Sequence, residues 1–154
     1  MAALSDYLES GLLHHVFRGQ TFPKPTGIAI ALTSGVPLDS HTGGTIPEIP
    51  SGISGSGTGY SRIQLSSPAS SGNYFWLYNT NDHNAGSGII KNSVSFVFGT
   101  ALVDWGWVSG VAIVDDHRYG SGNLLMHATL ANPRIIYMGD SVKFDAETLQ
   151  IAFR

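Results

Sequence analysis

The sequence predicts an all-β protein, an antiparallel β-sandwich or jelly-roll-like barrel with one N-terminal amphipathic helix. Three observations lead there. Apolar residues alternate with small or polar ones over residues 28–32, 94–98, 105–113 and 149–153, the period of a half-buried strand. Clusters of Gly, Asp, Asn and Ser separate about eight to ten short runs of this kind, and no helical crossovers lie between them, which argues against a parallel α/β arrangement. The one convincing helical period lies at the start, over residues 4–17.

In that first segment Leu4, Leu8, Leu12 and Val16 recur every fourth residue and make one apolar stripe, which Tyr7 and Leu13 widen. Ser5 or Asp6 is placed to cap the helix, and Glu9 in the first turn complements the dipole. Gly11 weakens the helix by about 1 kcal/mol relative to Ala, so the helix needs a surface to lie on. Pro23 and Pro25 end any helical run.

Ile28, Ile30 and Leu32 alternate with Ala29 and Ala31, a strand with a large face and a small one. Residues 34–59 are mostly Gly, Ser, Thr and Pro, with Asp39 and Glu48 the sole charges. A stretch this long without a strand or helix pattern is uncommon in a compact domain. Its composition builds no core of its own, so contacts with a neighbouring chain are expected to order it. Tyr60–Leu65 is a short predicted strand, residues 74–78 are dense in β-formers, and 79–88 is a polar turn.

Val94, Phe96 and Phe98 alternate again. Further on, Trp105, Trp107, Val111 and Ile113 are placed on one face, and Gly106, Val108, Gly110 and Ala112 on the other, where a second layer could approach closely. After a turn at Asp115–Asn123, Leu124–Leu130 and Pro133–Tyr137 read as two strands. Gly139-Asp140 marks a turn with Val142 and Phe144 inward, and Leu149, Ile151 and Phe153 close the chain.

At 154 residues the chain has the length of one domain, expected to span 1–154, and buries roughly 70% of its unfolded surface without staples. It has no cysteine, which excludes disulfides, thiolate metal sites and a cysteine nucleophile. Charged residues make up only 12% of the chain, against about 25% in an ordinary soluble domain. A Gly/Ser-rich β domain accounts for this. So does a protein that spends its life packed against copies of itself or another protein, and that reading carries the expectation of a homo-oligomer, dimer or trimer.

The net charge is −3, and Lys and Arg are scattered, so no footprint for nucleic acid emerges. No apolar run approaches the roughly 20 residues of a membrane span, and the N-terminus lacks the basic start and apolar run of a signal peptide. Assembly in a host cytoplasm without export is the expectation.

The search for chemistry returns little. His14 and His15 project about 100° apart on a helix and cannot share a metal. Asp82-His83 and Asp115-Asp116-His117 lie in turns, where Asp is favoured for its backbone hydrogen bonds. There is no Gly-x-Ser-x-Gly elbow. The Gly/Ser run at 51–59 lacks the Lys-Ser/Thr ending and following helix of a phosphate loop, and the carboxylates show no pairing suited to glycoside cleavage. The sequence therefore predicts no catalytic residue, no cofactor and no metal site.

The best surface candidate is aromatic. On a strand, Tyr74, Trp76 and Tyr78 face one way and Phe75 and Leu77 the other. One set is core and the other covers a loop, or the first set forms a protein–protein contact patch, since Trp and Tyr anchor interfaces. A sugar-binding platform is the third reading.

Two blocks carry a resemblance. The first runs from Leu4 to Phe17 and on through Pro25–Ser34 to Gly59-Tyr-Ser-Arg62. The second comprises Asp104–Asp115, with its Trp-Gly pair before a strand ending in Asp, then Gly122-Asn-Leu-Leu-Met-His-Ala-Thr-Leu130 and Gly139-Asp-Ser-Val-Lys-Phe144. In this order the chain resembles a family of small phage virion proteins, tail-fibre-like or capsid-decorating. Residues 36–58 and 66–92 depart from the pattern, so no binding residues carry over. The resemblance implies a non-enzymatic virion part whose partner is the major capsid protein or another virion protein. A capsid cement protein that stabilises the mature lattice by linkage is the first expectation. A tail-associated or fibre component is the alternative, and a lectin-like module the second alternative.

Overall fold

The computed structural model describes residues 3–50, 57–65, 76–78 and 89–152. It is built of antiparallel strands with a single helix among the described residues, as the alternation predicts. The main sheet has the order β1-β8-β7-β2-β3, formed by β1 (Ala3–Leu4), β2 (Ile28–Thr33), β3 (Ile63–Leu65), β7 (Gly106–Val114) and β8 (Leu124–Ile136). A three-stranded sheet, β10-β5-β4, joins β4 (Trp76–Tyr78), β5 (Ile89–Asn92) and β10 (Gln150–Ala152), and β6 (Phe96–Val97) pairs with β9 (Lys143–Phe144).

The helix, α1, spans Asp6–Arg18. Ser5, not Asp6, is its cap: the Leu8 N–H donates to Ser5 Oγ at 3.2 Å, while the Ser5 hydroxyl donates to the Leu124 carbonyl and so ties the helix start to β8. Gly19, at φ 66°, closes the other end in the left-handed conformation that glycine tolerates. Gly11 has a packing reason that its propensity hides. A Cβ there would sit 2.2 Å from the Phe22 ring, which folds back over the helix beside Tyr7. The apolar stripe is only half used. Leu4 and Leu8 pack with Ile113, Leu125 and Met126, whereas Leu12 and Val16 run on into solvent.

The large face of β2 enters the principal core. Ile30 and Leu32 meet Leu65, Val108, Val111 and Ile136 of the main sheet, and Phe96, Phe98, Trp105 and Val142 from the other side. Phe96 stacks on Phe144 with ring centroids 5.1 Å apart. The small face carries its own layer: Ala29, Ala31, Ala112, Val114 and Leu124 pack with Ile46.

That layer overturns the expectation for residues 34–59. The parts that are described, 34–50 and 57–59, are docked on their own chain: Ser34 N–H donates to Pro47 O, Ile49 N–H to Leu32 O, Gly43 N–H to Gly122 O, Asp6 N–H to Asp39 O, and Leu102 N–H to Thr58 O. Ile49 is completely buried. Ile49 joins the principal core, while the small Ala side chains on β2 and β7 let the loop lie close enough to bury Ile46 against them. Residues 51–56 lie outside the described residues.

The face assignment of β7 also needs correction. The β7–β8 register passes from Val108↔Arg134 to Gly110↔Thr129, so Ser109 alone faces the stretch 130–133. This bulge breaks the period of two. Val108 therefore joins Val111 in the core, while Trp107 is 50% exposed opposite Ile135. Trp105 precedes the strand and turns inward across Gly106, whose φ is 81°. The two strands expected at 124–130 and 133–137 are one continuous β8, with Pro133 accommodated in the unpaired stretch. Of the alternating Val94, Phe96 and Phe98, the two Phe are buried and Val94 is 54% exposed; Phe153 lies outside the described residues.

Two glycines of β7 are fixed for different reasons. At Gly110 a Cβ would lie 2.6 Å from Thr33 Oγ1 and 3.1 Å from the Ala128 carbonyl, whereas Gly106 has open space but a left-handed backbone. Gly110→Ala is expected to destabilise by about 1–3 kcal/mol through overpacking, and Gly106→Ala by about 1–2 kcal/mol through backbone strain alone. Urea denaturation of the two variants checks both values.

Candidate functional site

The most concentrated polar chemistry in the described residues lies inside the protein, at Arg62. Its guanidinium has five N–H groups and all five find acceptors. Nε donates to Glu48 Oε1 at 2.8 Å and Nη2 to Glu48 Oε2 at 2.7 Å, a two-point ion pair. Nη2 also donates to Gly43 O, and Nη1 to both Asp116 O and Ser121 O at 2.8 Å. Tyr60 completes the cluster: its hydroxyl donates to Glu48 Oε1 at 2.9 Å and accepts from the Leu32 N–H at 3.0 Å. Burial, then the neighbouring Glu48 carboxylate, pushes the Tyr60 hydroxyl well above its ordinary pKa. Trp105 packs edge-on to the Tyr60 ring and donates its indole N–H to Thr58 O.

Every donor of the cluster is engaged within the protein. The cluster is a clamp that holds the 43–48 loop, the 116–121 turn and β2 together. Sequence reasoning singled out none of its members as a site. The available signal was that Glu48 is one of only two charges in a long uncharged loop. Asp39, the other, also finds a partner: its Oδ1 lies 2.8 Å from Nε2 of the buried His127 on β8.

The turn reading of Asp115 and Asp116 agrees with the geometry. Asp115 accepts from the Asn123 N–H and side-chain amide at 2.6 and 2.8 Å. Asp116 is held below the ordinary carboxylate range by hydrogen bonds from Arg118. Asp82 and His83 lie outside the described residues. Among the described residues no group of three or more His, Asp or Glu side chains could hold a metal ion, and no helix is long and apolar enough to cross a membrane.

A cleft of about 450 Å³ opens where β8 leaves its pairing with β7, between that arm and the 142–150 segment. Val108, Ile136 and Phe144 line it, with Arg134 and Lys143 also on its wall. Lys143 is paired with Asp145 at 2.7 Å.

The aromatic candidates fall largely beyond what is described. Tyr74 lies outside the described residues, as do the side chains of Trp76 and Tyr78. The backbone of Trp76–Tyr78 forms β4, an outer strand of its sheet, paired antiparallel with β5 from Trp76↔Asn92 to Tyr78↔Ile90. The large exposed apolar residues that are described gather elsewhere. Leu12, Leu13, Val16 and Phe17 stand on α1, and Leu102, Trp107, Ile135, Tyr137 and Met138 surround the far end of β8. Such surface is what a protein working by contact carries.

The family model of the Podophage GP4 fiber I protein gp80 matches residues 3–152. The chain belongs to that family. It is a phage virion structural protein of the fibre-like kind, as the two sequence blocks suggest. No curated protein matches the chain. The match includes the clamp residues and both exposed apolar regions of this fibre-family protein.

Removing one partner of the clamp leaves a buried charge alone. Glu48→Ala is expected to cost about 3–5 kcal/mol in urea denaturation. Tyr60 supplies a pH test. In the unfolded chain its hydroxyl ionises near 10.0, but in the folded protein only well above that. The stability it contributes is therefore fully present below pH 10 and is lost as the pH rises from there towards the folded value. Tyr60→Phe is expected to flatten the alkaline fall in stability, measured as the urea midpoint against pH, while lowering stability at neutral pH by about 1–3 kcal/mol because the Leu32 N–H loses its acceptor.

Proposed function

We propose that this protein is a structural component of a virion fibre, working by binding alone, with no turnover and no cofactor. The observation that carries the reading is the family match over nearly the whole chain. The low charge and the two exposed apolar regions support it, because a part built into a larger assembly leaves such surface to be covered by neighbours. The fibre placement takes precedence over the capsid-cement role first expected from the sequence, since the family is named for a fibre and nothing in the fold favours a capsid lattice.

Tyr74, Trp76 and Tyr78 are proposed as aromatic anchors to another virion protein, because β4 is an outer strand. Two measurements test these readings. Gold-labelled antibody against the chain is expected to decorate the fibres of intact particles; label spread over the capsid faces would overturn the fibre placement. Trp76→Ala is expected to lower occupancy on particles with the urea midpoint of the free protein unchanged. A loss of several kcal/mol on unfolding would make Trp76 a core residue and remove it from the contact.

A further inference from the structure

The two exposed apolar regions differ in composition, charge and position. On α1, Leu12 and Val16, Leu13 and Phe17 stand one turn apart and form a continuous ridge, with Phe17 78% exposed. The cation Arg18 borders its C-terminal end, while the acidic residues Asp6 and Glu9 sit in the first turn, Glu9 one turn before Leu12 and Leu13. The helix is anchored where β8 begins, through Ser5 N–H to Leu125 O at 3.0 Å.

The second region lies where β8 ends, about 20 Å further along by the rise of β7 from Ile113 to Trp107. Trp107 and Ile135 face each other across the strands there. The segment beyond β8 turns back over the 101–104 chain: Gly139 N–H donates to Ala101 O at 2.8 Å and Met138 N–H to Asp104 Oδ1 at 2.8 Å. This brings Met138, 69% exposed, beside Leu102. The exposed rim residues here are Asp104 and Asp140, whose carboxylates accept backbone N–H groups. Arg134 neighbours Ile135 in sequence but lines the cleft, on the other face of the strand.

We propose that copies of this chain associate head to tail, the α1 ridge of one seated on the Trp107–Met138 surface of the next. An apolar ridge with a cationic border meets an apolar surface with an anionic rim, at sites near opposite ends of one long strand. Two sheet surfaces brought together would instead set the Asp104 and Asp140 rim against itself; two ridges meeting antiparallel would set Arg18 against the first-turn acids, and this is the competing arrangement that the test separates. A contact between two different surfaces does not close on a pair. It gives a ring of three or more subunits or an open stack. On this proposal the trimer is the smallest closed form.

The test uses two complementary variants of the full chain in analytical ultracentrifugation. One carries Leu13→Asp and Phe17→Asp on the ridge; the other carries Trp107→Ser and Met138→Asp on the sheet surface. Wild type is expected to associate beyond the dimer with rising concentration. Each variant alone is expected to be monomeric, its association weakened by about a hundredfold or more. An equimolar mixture is expected to form one-to-one dimers that stop there, since each pair retains a single intact contact.

Wild type that stays monomeric at the highest attainable concentration overturns the proposal. So does either variant dimerising alone, or a mixture that fails to pair. The altered side chains are exposed, so the urea midpoints are expected to match wild type. Should a double variant not fold, the single changes Phe17→Asp and Met138→Asp give the same readout. The contact is measured in the free protein, so its failure would leave the fibre placement, tested by labelling particles, untouched.

Discussion

The ion pair between Glu48 and Arg62 is the constraint on which the rest of the described structure leans. Arg62 enters from the chain just before β3, and its acceptors come from two separate places: the 43–48 loop, where Glu48 also receives Tyr60, and the 116–121 turn. A buried ion pair is a weak source of net stability, because desolvation offsets most of the attraction. Its contribution here is positional. Five donors with five fixed acceptors admit one arrangement of those segments, and any other leaves a charge buried without partners. The loop then covers the alanine face of β2 and β7, turning a sheet with one covered face into a sheet covered on both.

The aromatic side is organised from the same point. Tyr60 touches the clamp with its hydroxyl and the core with its ring, stacked parallel to Phe98 with centroids 6.0 Å apart and edge-on to Trp105. One residue thus couples the polar clamp to the apolar core. With these layers fixed internally, many of the remaining large apolar side chains are left outside, most densely on α1 and around the end of β8.

Much of this was legible in the sequence, and the failures share a physical cause. The helix, the strands around Ile28–Leu32, Phe96 and Trp105–Ile113, and the small-residue face were visible because local periodicity encodes them. The layer on that small face was not, because residues 34–50 owe their order to distant partners and have no period of their own. The same holds for Arg62, whose acceptors lie up to 59 positions away in sequence. Trp107 and Val108 were placed on the wrong faces because one bulge at Ser109 inverts the parity of everything on one side of it, and no residue type announces a bulge. The α1 stripe was read correctly as apolar, yet periodicity does not say how far a helix overhangs the sheet beneath it.

The bulge has a consequence for how the chain tolerates change in length. Along β7 and most of β8 each residue is locked opposite a partner, so one added residue would turn every later side chain over. Residues 130–133 face Ser109 alone and have no such partner to lose. Asn132 and Pro133 are exposed, and closing a somewhat longer loop adds only about 0.6 kcal/mol per doubling of its length. Extra residues at 131–132 would extend outward while the strands on either side kept their register. This is the natural point in the main sheet for relatives to differ in length, and for a short foreign peptide to be displayed without disturbing the layers beneath it.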